Sequence, residues 1–187
     1  MKDFVINLLK ENLPESYFYH NHEHTLYVLE KAIEIGRHEE CTEKELDLIE
    51  TAALWHDTGY IITYGNHEAE SCRMARHYLP DYGYSSKDID IVCGMIMATK
   101  IPQEPKTRLE EIISDADLEY LGSDTFGTKA HELFRELQHI NPSLTAEKWN
   151  QTQISFLSRH HYFTTYCREN KDPIKKVHLL KLTESMG

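Results

Sequence analysis

Four polar residues occupy positions where the helical spacing of this sequence calls for apolar atoms. His56 lies three residues after Ala53 and seven after Ile49, on the stripe those two define, and Asp57 shares the neighbouring stripe with Ala53 and Leu54. Asp117 lies four residues after Ile113 and four before Leu121, while His24 is followed by Tyr27, Val28 and Leu29. A carboxylate buried without a partner costs several kcal/mol, so these acids need a cation or a hydrogen-bond network. Two imidazoles and two carboxylates drawn from three helices would make an N₂O₂ cation site. That donor set suits Mn²⁺, Fe²⁺, Co²⁺, Ni²⁺, Zn²⁺ or Mg²⁺ and does not choose among them. An interior polar network tying helices together would use the same residue types. The adjacent His56-Asp57 pair, framed by His24 and Asp117, favours metal.

Helices have to bring these residues together, and the apolar spacing is helical nearly throughout. It predicts a short amphipathic helix over about 2–12, stopped near Pro14, and a second from about His20 to Arg37. Thr42-x-x-Glu45 reads as a capping box opening a third helix that carries Leu46, Ile49, Ala53 and then His56. Asn66 is expected to cap a fourth helix ending before Pro80, and Ser85 or Ser86 a fifth reaching about Thr99, which Pro102 and Pro105 terminate. Thr107-x-x-Glu110 reads as another capping box, for a helix running through Leu121 to Gly122. Ser123 opens the next, closed by Asn141-Pro142. Thr145 opens the longest, expected to carry Trp149, Phe156, Leu157, Phe163 and Cys167 on one face, and a short helix follows Pro173. No segment alternates apolar and polar residues. The expected fold is all-α, a single-domain helical bundle over residues 1–187.

Composition agrees. At 187 residues and 21.9 kDa the chain suits one domain that buries roughly 70% of its unfolded surface. Its 8 glycines and 6 prolines are too few for a collagenous, turn-rich or linker-dominated chain. Twenty basic against 31 acidic residues give a net charge of −11, without the basic patch of a nucleic-acid or membrane-surface binder. The 12 histidines stand out, since histidine is both the commonest metal ligand and an acid/base residue. Cys41, Cys72, Cys93 and Cys167 form no C-x-x-C pair, which fits a reducing, cytoplasmic setting. The segment MKDFVINLLKEN, broken by Asp3 and Asn7, does not read as a secretory leader, and the longest apolar run, Ile91 to Ala98, falls far short of the roughly 18 residues of a membrane span.

The order His24 … His56-Asp57 … Asp117, set in "YHNHEHTLYV", "AALWHDTGY" and "IISDADLEYLG", resembles the H…HD…D signature of the HD superfamily of metal-dependent phosphohydrolases. The resemblance covers about residues 17–122. It implies a mostly helical fold in which His24, His56, Asp57 and Asp117 bind a divalent metal. Asp115 is the rival for the last ligand; Asp117 is preferred because family versions of "DADL" ligate through the second Asp and because Asp117 faces the apolar stripe. The family's reaction is phosphoester or phosphoanhydride hydrolysis. "YHN-x-x-H" is also similar to the start of the cyclic-nucleotide phosphodiesterase domain, which implies His20 as a general acid. His67 resembles an extra His of many relatives that contacts phosphate or a second metal. Glu68 aligns with Cys72, Ala75 and Leu79, so it points inward and could orient water; a favourable charge on the helix dipole is the plainer alternative. Lys100 is a possible phosphate-binding cation where several relatives carry a His, a departure that favours one metal. His160 is expected as a core histidine within the long helix, with His161 beside it.

Two other classes compete. His20-Asn-His-Glu23-His24 fits H-x-x-E-H, the inverted zinc-peptidase motif, but leaves His56-Asp57 and Asp117 without a role. A non-catalytic metal- or nucleotide-binding module would retain the ligands and lack turnover. The expectation is a cytoplasmic hydrolase of a small phosphorylated substrate, with a nucleotide weighted by the resemblance, and with no nucleic-acid or membrane partner. Oligomeric state is not legible.

Overall fold

Short-range capping sets most helix boundaries in the computed structural model, which describes residues 1–185. Helix α1 (Lys2–Asn12) leads into α2 (His22–His38), which starts where the Asn21 side chain accepts the Glu23 and His24 N–H groups. Thr42 and Glu45 form the expected capping box at the start of α3 (Glu43–Trp55). Then come α4 (His67–Tyr78), α5 (Ser86–Ala98), capped by Ser85, and α6 (Arg108–Asp117), capped by Thr107. The chain closes with α7 (Phe126–Ile140), α8 (Ala146–Arg159), α9 (Thr165–Asn170) and α10 (Asp172–Glu184). No β-strand occurs among the described residues, so the fold is all-α.

Apolar stripes decide the packing. Helices α2, α3, α5 and α6 bring Val28, Ile35, Ile49, Leu54, Ile96 and Ile113 into one core from which water is excluded. Each such side chain contributes about 1.5–3 kcal/mol by leaving water. A second, smaller core forms after α6, where Tyr120, Leu121, Phe126, Ala130 and Leu157 gather around Tyr19. No described helix is long and apolar enough to cross a membrane.

Several boundaries differ from the sequence reading. Helix α6 ends at Asp117 rather than running to Leu121, and a 3₁₀ turn (Glu119–Gly122) follows. The Glu110 carboxylate accepts the Lys106 N–H, so Thr107 makes only half of a capping box. Asn66 precedes α4 in the left-handed region (φ 61°) and does not cap it; its Oδ1 accepts from Lys100 Nζ at 3.0 Å instead. Helix α7 starts at Phe126, with Ser123 bonded to Thr125 upstream. The long helix expected from Thr145 through Cys167 breaks at His160. Asp115 on α6 accepts the Phe163 and Thr164 N–H groups and the Thr164 hydroxyl, and Lys175 donates to the His160 carbonyl at 2.6 Å. Those partners outcompete the i−4 carbonyls, and Thr164 begins α9 as its cap. The 17-residue α2 is therefore longer than α8.

Candidate metal centre

Helix ends supply every donor of the central cluster. His24 sits in the first turn of α2, and Asp117 is the last residue of α6. His56 closes α3 with helical dihedrals, after which Asp57 (φ −105°, ψ 4°) turns the chain into the 3₁₀ turn Thr58–Ile61. That turn is what lets two adjacent residues face one point, because in a continuous helix they would diverge by about 100°. Gly59 holds the turn against α4: a Cβ there would meet the His67 carbonyl oxygen at 1.9 Å. Gly59 N donates to Ser71 Oγ at 2.8 Å, and Ser71 Oγ donates to the His56 carbonyl at 2.6 Å.

The donor atoms are close. His24 Nε2 lies 3.1 Å from Asp117 Oδ1, 3.4 Å from Asp57 Oδ2 and 3.4 Å from His56 Nε2. His56 Nε2 lies 3.2 Å from Asp57 Oδ2 and 3.6 Å from Asp117 Oδ1. His56 Nδ1 donates to the Ala53 carbonyl at 2.8 Å, which leaves Nε2 as the free ring nitrogen. Asp57 Oδ2 is buried with no hydrogen-bond partner among the described residues, although two imidazole nitrogens flank it. An oxygen so placed fits a cation shared with those nitrogens. Burial alone would lower the His56 imidazole, but Asp57 and Asp117 outweigh it and hold it well above 6.5. Burial would likewise raise the two acids. The facing imidazoles keep Asp57 below the ordinary carboxylate range and Asp117 at about 2.

The HD domain family model matches residues 21–119, more than half of the chain. This chain belongs to the HD domain family. Two solved structures share the HD fold with a TM-score of 0.65 each and 18% identity. One is a predicted HD superfamily hydrolase from an uncultured Thermotogales bacterium, with 98% of this chain and 89% of that one covered. The other is Bacillus subtilis YpgQ in complex with ADP, with 100% and 98% covered. No curated protein matches the chain. The HD dipeptide is His56-Asp57, and His24, His56 and Asp117 form a group able to hold a metal ion.

The remaining candidates of this HD domain ring the cluster. His67 Nε2 lies 3.5 Å from Asp57 Oδ1 and 3.8 Å from Glu68 Oε1, and burial and nearby imidazoles lower its pKa despite both acids. Glu68 is buried, with Oε2 lacking a hydrogen-bond partner. Lys100 is exposed and bonded to Asn66, and both line a cavity that His20, Asp57, His67, Glu68 and Asp117 also line. Asp115 lies apart, turned about 200° around α6 from Asp117 and engaged with Phe163 and Thr164. Glu23 is exposed, so the general base of the inverted peptidase motif does not face the cluster. His160, at the α8 terminus, packs on Lys175; burial first and then the Lys175 charge push its pKa down to about 3.

One residue escaped the sequence reading. Glu136 on α7 is fully buried, and its Oε1 accepts from His20 Nδ1 at 2.5 Å and from the Tyr64 hydroxyl at 3.0 Å. Its Oε2 accepts the Tyr19 and His20 N–H groups at 2.9 and 3.0 Å. Burial would lower the His20 imidazole, but the Glu136 contact raises it, and Glu136 in turn is lowered. The sequence signal was slight: Glu136 stands three residues after Leu133 and beside Leu137, at the edge of an apolar stripe.

Proposed function

We propose that this chain is a metal-dependent phosphohydrolase that cleaves the P–O bond of a small phosphorylated molecule. The observation that carries the reading is Asp57 Oδ2, buried without a hydrogen-bond partner between His24 Nε2 and His56 Nε2 and close to Asp117. In this reading His24, His56, Asp57 and Asp117 hold one divalent ion. When bound, the ion supplies Lewis acidity toward water and phosphoryl oxygen. The chain's own residues do the rest. Glu68 accepts a proton from the attacking water, whose oxygen forms the new bond to phosphorus as the bond to the leaving oxygen breaks. His20, its Nδ1–H fixed on Glu136, delivers the proton on its Nε2 to that leaving oxygen. The raised His20 pKa suits an acid that must be protonated near neutral pH. His67 and Lys100 hold phosphoryl oxygens.

A nucleotide is a second reading, supported by the ADP bound to the structurally similar YpgQ. A panel of p-nitrophenyl phosphate, its bis-ester and adenosine mono-, di-, tri- and cyclic phosphates, each with Mg²⁺, Mn²⁺, Co²⁺ or Zn²⁺, tests the proposal. Turnover that disappears in His24→Ala and returns with none of the metals is expected. A metal-loaded protein inactive on every member would leave a binding module.

A further inference from the structure

The cavity beside the cluster has a volume of about 410 Å³, and its two ends differ in chemistry. His20, Asp57, His67, Glu68 and Asp117 line one end. Leu118, Leu121, Phe126, Leu133, Phe156 and Leu157 line the other. Two of the polar groups on the apolar side are engaged within their own helix. Thr152 Oγ1 donates to the Lys148 carbonyl, and Gln153 Nε2 donates to Asn150 Oδ1. Among the described residues lining the cavity, Lys100 is the single Lys or Arg, facing three carboxylates, and its Nζ is bonded to Asn66.

Resting on the phosphohydrolase reading, we propose that the substrate is a phosphomonoester whose organic part is an apolar alkyl or aryl group seated between α7 and α8. One phosphoryl group is matched by one divalent ion. With Asp57 and Asp117 engaged by that ion, a second or third phosphate would have Glu68 against it and Lys100 as the single Lys or Arg among the described lining residues. A polar edge set against these leucine and phenylalanine side chains would give up hydrogen bonds to water that they cannot replace, whereas an alkyl chain gains from every carbon it buries. The reaction is hydrolysis: the alkyl oxygen–phosphorus bond breaks, a water oxygen bonds to phosphorus, and the released alcohol takes the proton from His20.

The test uses the full chain loaded with its activating metal. Across methyl to hexyl phosphate, kcat/KM is expected to rise about fourfold per added methylene until the cavity is filled. Binding of the matching alkylphosphonates, whose C–P bond is not hydrolysed, is expected to tighten in parallel. Phe156→Ala, and independently the milder Leu133→Ser, should lower the hexyl-to-methyl ratio about tenfold while the bound metal stays at one per chain. A flat chain-length series, or AMP or ADP turned over faster than hexyl phosphate, overturns the inference and leaves the hydrolase intact. Chain-length-dependent phosphonate binding with no turnover on any ester supports the ligand class and overturns hydrolysis instead.

Discussion

Helix α3 buries Leu48, Ile49, Ala52, Ala53, Leu54 and Trp55 in succession, whereas α8 buries Leu157 and α10 buries Lys175. The part of the chain through α6 is thus packed around whole helix faces, and the shorter part after it leans on it through narrow contacts. The chemistry divides along the same line. His24, His56, Asp57 and Asp117 all come from the densely packed part, where a displacement of donor atoms would disturb close-packed neighbours. The later helices contribute cavity walls and, beside the cluster, a long-range strut, Glu136, which reaches back to His20 and Tyr64. An ion site needs donors fixed to a fraction of an ångström, while a substrate wall needs shape and dryness. On the proposed function, each part has the packing that its task requires.

Substitutions can break this contrast, starting with the tight part. Asp57→Ala should abolish ion retention and lower kcat/KM by about a thousandfold or more, with circular dichroism unchanged, because the Lewis acid contributes several kcal/mol to the barrier. If Asp57→Ala keeps both ion and turnover, the cluster is a structural network. Next comes the strut. Glu136→Gln should lower kcat about a hundredfold while leaving the bound metal unchanged, since it touches His20 and not the donor set. It should also move the alkaline limb of the kcat profile to lower pH, because an acid that has lost its carboxylate partner gives up its proton sooner. A profile that does not move would mean that His20 is not the proton donor.

Asp115→Ala removes the acceptor for the part-buried Phe163 N–H and for the buried Thr164 N–H and hydroxyl, which join the two parts. It should cost about 2 kcal/mol in urea unfolding and leave metal content as in the parent chain. The smallest effect is a pH slope. His56, held well above 6.5 by Asp57 and Asp117, is protonated near neutrality without metal, and an ion must displace that proton. Calorimetric affinity should therefore rise about tenfold per pH unit from 6.5 toward the raised value. The same group lends the metal-free chain stability that is fully present below about 6.5 and lost as pH climbs through its folded pKa, so thermal stabilisation by metal should widen with pH. An affinity independent of pH would show His56 to be neutral before binding.

The sequence made the tight part legible because polar residues interrupting apolar stripes are visible at helical spacing. His24, His56, Asp57 and Asp117 each break such a stripe, and the motif contexts pointed to the same four. It did not disclose Glu136, whose partner His20 is 116 residues away and whose position flanks its stripe as a solvated acid would. Nor did it show that α8 stops at His160. Phe156, Phe163 and Cys167 keep helical spacing, and only the folded position of Asp115 reveals the competing acceptor. Local signals carried the elements that local bonds decide, and failed where a distant carboxylate decided instead.

Metal content by elemental analysis of the purified chain beside its Asp57→Asn, Asp117→Asn and Asp115→Asn variants reaches the central claim most directly. The account predicts one divalent ion per chain in the parent and in Asp115→Asn, and none in the other two. A parent chain that takes up no ion, or one that loses it with Asp115 and keeps it without Asp117, would contradict the account.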